Sequence, residues 1–240
     1  MSRLQIIETG NRFGSISGIN NYKARQQMAT FYGFNPDKVY VPNQVADGSY
    51  QLVTSDMIKA KKDGWYLDIT ADILLVTEKT PNVVVGYPVA DCAVVIMADL
   101  QNGVSATAHC SARLVDQKLP QFTLAALKDA CGSKDENIFV YISACAGPSW
   151  SYDRYPTWIK DLSLWEESGA LLKNGDHYCI NLRKAIMAQL ANYRFRQFIM
   201  NPADTITNDH YYSHHAAYLG NPKKIGHHFA GVFYKQKSVN

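Results

Sequence analysis

The chain has 240 residues, of which 47% are hydrophobic and 19% charged, with a net charge of +3. That composition excludes a mainly disordered chain. The near balance of 24 Lys and Arg against 21 Asp and Glu excludes the basic surface that would make nucleic acid or an anionic membrane the main partner.

In chain order the residues predict mixed α and β structure. Arg3–Glu8 reads as a first strand. Tyr22–Tyr32 has helical spacing and stops at Gly33, a suitable helix cap. Lys38–Val45 alternates as a strand. Asp72–Thr77, Val83–Tyr87, Cys92–Ala98 and Val104–His109 are short Val- and Ile-rich runs, the pattern of buried strands. Leu119–Cys131 carries an apolar helical face closed by Gly132, and Leu182–Leu190 carries another. Tyr155–Ser168 reads as helical, whereas Asn137–Ser143, Phe195–Met200 and Phe229–Tyr234 read as strands.

Strands often follow one another without a helix between them. This pattern predicts an α/β (α+β) fold, a single-domain mixed-sheet sandwich over residues 1–240 with helices packed on the sheets. No G-x-G-x-x-G or P-loop pattern points to a dinucleotide or nucleotide cradle. No apolar stretch is long enough for a membrane helix, and MSRLQIIETG lacks the core of a signal peptide. The cysteines at 92, 110, 131, 145 and 179 are odd in number and form no C-x-x-C pair, which suits reduced thiols in a cytoplasmic protein.

The densest chemistry lies in VVVGYPVADCAVVIMADLQNGVSATAHCSARLV. Cys92 opens one apolar strand and His109 closes the next. A four-residue loop from Asp99 to Asn102 would place the two residues directly opposite each other, whereas a two-residue Asn-Gly turn would put Ile96 opposite His109. Taken alone, the Cys reads as a small hydrophobe and the His as a hydrogen-bonded strand end. Cys110, next to His109, reads as a core residue facing the other way, and Cys145 as structural.

Val89-Ala90-Asp91-Cys92 and the later His109-Cys110-Ser111-Ala112-Arg113 resemble the two central blocks of the bacterial laccase-domain family, T-A-D-C and V-H-A-G-W-R-G. Further blocks follow in the family's order: Asn11–Ser17, Asp72–Thr77, Ala146-Gly147-Pro148 with Tyr152, His210–His214 and Gly226–Val232. The family has been described as multicopper polyphenol oxidoreductases and is better described as zinc-dependent purine nucleoside phosphorylases with adenosine deaminase activity. The resemblance implies a catalytic set of Cys92, His109 and Arg113. It implies zinc, with copper second, on Cys92 and His109. It implies a substrate site of Gln44, Asp91, Tyr152, Tyr212 and His214 for a purine nucleoside and phosphate, in a chain active as a monomer.

The departures are specific. The family's first zinc-binding His falls in a Q-V-H-G block, and here the stretch is Gln44-Val45-Ala46-Asp47-Gly48. Asp47 is one replacement for that His, since a carboxylate is a legitimate zinc ligand, although beside Gly48 it also reads as a turn residue. The late histidines offer another: His210 and His214 would share a face on a helix. The family's Trp is Ala112, and its late Arg residues appear as His214, His215 and His227 or His228. Three expectations follow: a zinc enzyme with a rewired third ligand, a relative that binds a nucleoside or a protein partner without the chemistry, and a copper-dependent phenol oxidase. The last is ranked lowest, because multicopper chemistry needs many His ligands and the chain has seven.

Overall fold

The computed structural model describes residues 3–17, 21–45, 47–54, 57, 66–80 and 82–235. The first part of the chain supplies β1 (Arg3–Glu8), α1 (Tyr22–Tyr32), β2 (Val39–Asn43), β3 (Tyr50–Leu52), β4 (Tyr66–Thr70), β5 (Ile73–Thr77) and β6 (Val84–Val89). The centre supplies β7 (Ala93–Asp99), β8 (Val104–Cys110), α2 (Ala112–Asp116), α3 (Leu119–Cys131) and β9 (Ile138–Ile142). The last part supplies β10 (Trp150–Tyr152), β11 (Leu171–Asn174), β12 (His177–Ile180), α4 (Leu182–Leu190), β13 (Gln197–Met200), α5 (His214–Tyr218) and β14 (His228–Lys235).

The strands form a five-stranded sheet in the order β1-β14-β6-β2-β4, a six-stranded sheet in the order β13-β9-β7-β8-β5-β3, and a small sheet β10-β12-β11. Period-2 alternation assigns the faces. In β5, Leu74 and Val76 point to a core shared with Tyr40, Val85, Tyr87, Val89, Ala230 and Val232 of the five-stranded sheet. Ile73 and Leu75 point the other way, to a core with Leu124 and Leu127 of α3 and Ile186 of α4. The outer face of the five-stranded sheet is covered by Met28 of α1, which meets Phe229 and Phe233. The layers run α–β–β–α, the expected mixed-sheet sandwich. Both sheets mix parallel and antiparallel pairs.

The structure differs from the sequence reading in three places. First, the hairpin register is neither of the two expected. Asp99 pairs with Val104 and Val94 with His109. The Asp99 carboxylate caps the turn by accepting the N–H groups of Gln101 and Asn102 at 2.9 and 3.0 Å. Gly103 takes the left-handed residue of the turn at φ 63°. The four-residue loop is therefore Leu100–Gly103, one residue later than expected, and Cys92 sits two residues off the position opposite His109.

Second, Tyr155–Ser168 is a strap with a single wide turn at Ser163–Glu167. The buried Asp116 carboxylate holds it open by accepting the N–H groups of Lys160 and Asp161 and the indole N–H of Trp165. Third, the small sheet β10-β12-β11 is unpredicted. It completes one wall of the site below.

Candidate functional site

The residue before Cys92 organises the site. Asp91 is buried and takes φ 79°, a left-handed conformation that is uncommon outside Gly. Its backbone C=O accepts the Ala146 N–H at 2.8 Å. Its side-chain oxygens accept the Thr205 hydroxyl and the His215 N–H, each at 2.7 Å. Both carboxylate oxygens are thereby committed to protein donors. Asp91 ties the start of β7 to the loop after β13 and to the first turn of α5.

This arrangement opens a cavity of about 500 Å³ with Ala90, Asp91 and Cys92 at its base. Trp150 and Tyr152 stand on one wall, with ring centroids 5.6 Å apart at 34°. They share a face because they are two apart on β10. On the other side His214, His215, Tyr218 and Leu219 come from α5 and its end, and the His215 ring lies 6.4 Å from Trp150. The His215 Nε2 is buried and takes no partner among the described residues. Burial lowers its pKa, against the pull of the Asp91 and Asp204 charges.

Cys92 is part-exposed as a residue, yet burial around its sulfur, with Asp91 and Cys145 adding to it, pushes the thiol up to about 12. It is a neutral thiol at neutral pH, not a reactive thiolate. His109 lies on the same sheet face but deeper, 8% exposed, with its ring 5.6 Å from that of Tyr87. Burial pushes its pKa down to about 4 against the Asp72 charge, and its Nδ1 is buried without a partner. His109 does not line the cavity.

The remaining candidates separate. Tyr152 is in the cavity wall and His214 at its edge. Arg113 is exposed in α2, but its charge reaches Tyr152 and opposes the burial that raises that phenol to about 12. Gln44 is exposed just past β2. Tyr212 is buried against Gly226, where an added Cβ would lie 2.8 Å from its ring, and it is not in the wall. His210 is exposed in a turn before α5, so it does not share a helical face with His214. Cys110 and Cys145 are both buried, and the five cysteines are free thiols.

Asp47 does not line the cavity. Its Oδ1 accepts the Ser49 N–H at 2.8 Å in a local turn, and that hydrogen bonding lowers its pKa. The backbone N–H groups of Asp47 and Gly48 donate to Asp72 Oδ2 at 2.9 and 3.0 Å. Ala46 lies outside the described residues. Among the described residues no three His, Cys, Asp or Glu side chains converge as a metal site. A catalytic zinc usually takes three protein ligands. The thiol of Cys92 and one imidazole, with a methyl at position 46 and Asp47 committed to its own turn, do not fit that requirement.

A family model described as Multi-copper polyphenol oxidoreductase laccase matches residues 20–235. The chain belongs to that family. The laccase-domain fold is also seen in solved structures. The hypothetical protein YfiH of Bacillus licheniformis superposes with a TM-score of 0.80 at 17% identity, over 97% of this chain and 93% of that one. YlmD of Geobacillus stearothermophilus gives 0.77 at 18% identity, over 98% and 92%. The Neisseria meningitidis protein NMB0706 gives 0.69 at 14%, over 98% and 93%. No curated protein matches the sequence.

The laccase-domain resemblance directed attention to Asp91 and Cys92, which the cavity contains. It did not match Trp150, whereas His215 stood in place of one of the family's late Arg residues. The alternation Trp150-Ser151-Tyr152 was the available signal for the first, since it places two aromatics on one strand face.

Proposed function

We propose that this laccase-domain chain binds a purine nucleoside in the cavity over Cys92, with the base against Trp150 and Tyr152, and that it does so without the three-donor zinc centre of its relatives. The observation that carries the reading is the cavity itself. Its volume of about 500 Å³ suits a ligand of nucleoside size. Two ring faces are available for stacking. The unpartnered His215 Nε2 is placed to meet one ring edge or hydroxyl. The chain binds its small molecule as a monomer, and its five free thiols suit a reducing cytoplasm.

A second reading, a zinc-dependent phosphorylase or deaminase, is favoured by one observation. The His109 Nδ1 is buried without a partner on the face that also carries Cys92, which is how an imidazole waiting for a metal would stand. Copper-dependent phenol oxidation, which the family description names, would need still more donors than zinc.

Binding of adenosine, inosine and guanosine, followed by calorimetry and by tryptophan emission, tests the first reading. Trp150→Ala is expected to weaken binding about tenfold or more, since stacking on an aromatic contributes about 1–3 kcal/mol per base. Absence of binding by all three would overturn it. Zinc content measured alongside separates the two readings. About one zinc per chain, lost in Cys92→Ser together with phosphorolysis or deamination, would favour the enzyme.

A further inference from the structure

β13 is the last strand of the six-stranded sheet and pairs with β9 on one side only among the described residues. Its other side presents the row of backbone N–H and C=O groups that an edge strand leaves unpaired. Each of its four residues, Gln197–Met200, is exposed. Three of them are large and apolar: Phe198, Ile199 and Met200 are 37%, 40% and 39% exposed. Strand side chains alternate, so Phe198 and Met200 open on one face of the sheet and Ile199 on the other. The apolar strip continues through Phe195, whose ring lies 6.1 Å from that of Phe198 and 5.8 Å from that of Tyr193. Soluble proteins blunt such an edge with Lys, Pro, a bulge or a covering segment. Residues 197–200 hold no Lys or Pro, and their register with β9 runs without a bulge.

The charge beside the strip says what would cover it. Arg194 and Arg196 are exposed and form no ion pair among the described residues. No Asp or Glu occurs in the sequence between Asp176 and Asp204. We infer that β13 is a docking strand for an extended acidic peptide segment of another protein. The segment adds a strand to the open edge, where main-chain hydrogen bonds give affinity. Its apolar side chains lie on Phe198, Ile199 and Met200, and its carboxylates meet Arg194 and Arg196. A second copy of the chain fits less well. Pairing β13 with itself would bring Arg194 and Arg196 of both copies together, with no carboxylate from the stretch 193–203 to offset them. None of residues 194–200 lines the cavity over Cys92, so this inference does not rest on the nucleoside reading.

The test uses the full chain and labelled synthetic peptides, read by fluorescence anisotropy. The probe is acetyl-Glu-Glu-Val-Thr-Val-Thr-Val. One control carries Lys in place of Glu. The other is N-methylated at every Val and Thr, which removes the N–H groups of both peptide edges. The Glu peptide is expected to bind saturably. The Lys peptide should bind about tenfold more weakly, since two exposed ion pairs become two repulsions. The N-methylated peptide should also lose about tenfold or more, through its missing hydrogen bonds. Arg194→Glu combined with Arg196→Glu changes only exposed side chains, and should invert the preference so that the Lys peptide binds more tightly, with an unchanged far-UV spectrum. Absence of Glu-peptide binding would overturn the inference. Equal binding of the Glu and Lys peptides would overturn the acidic partner, and equal binding of the N-methylated peptide would overturn strand addition. Sedimentation velocity on the free chain runs alongside: a concentration-dependent dimer that is lost in Phe198→Ser would assign the edge to a second copy and overturn the peptide.

Discussion

Asp91 Oδ2 accepts the His215 N–H at 2.7 Å across 124 residues of sequence, so the strand that carries Cys92 also holds the helix that closes the cavity. The same carboxylate takes the Thr205 hydroxyl. Asp91→Ala removes both acceptors and forces a residue with a Cβ, but no polar side chain, into the left-handed region. The expected loss is about 3–5 kcal/mol of stability, read as a lowered urea midpoint. Asp91→Asn keeps one side-chain oxygen and the tolerance of Asn for positive φ, so it should cost about 1–2 kcal/mol. Equal effects of the two variants would show that the carboxylate does not organise this junction.

Asp116 is the equivalent device for the strap under α3. It is buried, with no cation bonded to it among the described residues, and is stabilised by the N–H groups of Lys160 and Asp161 and the indole of Trp165. Asp116→Ala leaves those donors without an acceptor and is expected to cost about 3 kcal/mol. Trp165 is fully buried and packs edge-on against Trp158 at 5.3 Å. Its emission should therefore shift to the red in the variant while the far-UV spectrum is kept. An unshifted emission would contradict this role.

The strand and helix cores were legible because their apolar period is intrinsic to the sequence. Arg3–Glu8, Tyr22–Tyr32, Leu119–Cys131 and Leu182–Leu190 form with the expected bounds. The strap 155–168 was not legible, since the Asp116 carboxylate, 44 and 45 residues before Lys160 and Asp161, competes for its N–H groups. The hairpin register was not legible either, because it turns on whether Asp99 or Asn-Gly governs the loop. The cavity contains Asp91, Cys92, Tyr152 and His214, which the family blocks named. The contacts of His215 with Asp91 and of Ser17 with His227 were not legible, because they join segments 124 and 210 residues apart, a relation local pattern does not record.

His228 gives the protein a pH-sensitive stability. It is fully buried with neither ring nitrogen partnered, and its ring stands edge-on to Tyr211 at 5.1 Å. Burial, aided by His227 and Lys224, pushes its pKa from 6.5 down to about 3. The unfolded chain therefore takes up this proton near the ordinary histidine value, and the folded chain does so only near the lowered one. Between the two the unfolded state binds more protons, so stability falls as pH falls, by about 1.4 kcal/mol per pH unit for this group. His228→Leu should remove that share of the slope between about pH 6 and pH 4 in urea titrations. A slope unchanged from wild type would mean that His228 is charged or solvated in the folded state.

Lys224 fastens the loop before α5. Its ammonium satisfies three carbonyls of the 205–211 loop, at 3.0, 2.6 and 3.2 Å. That loop carries Thr205, which Asp91 also holds. Lys224→Met keeps the apolar stem and removes the charge and its three hydrogen bonds, so the exposed carbonyls must find water or move. The expected cost is about 2–4 kcal/mol. Burial lowers the pKa of this amine, and the charges of Asp209, whose carboxylate lies 4.0 Å from the ammonium, Asp91 and Asp204 oppose that lowering. The urea midpoint of Lys224→Met, set against wild type, checks this, and an unchanged midpoint would show that the 205–211 loop does not depend on the ammonium.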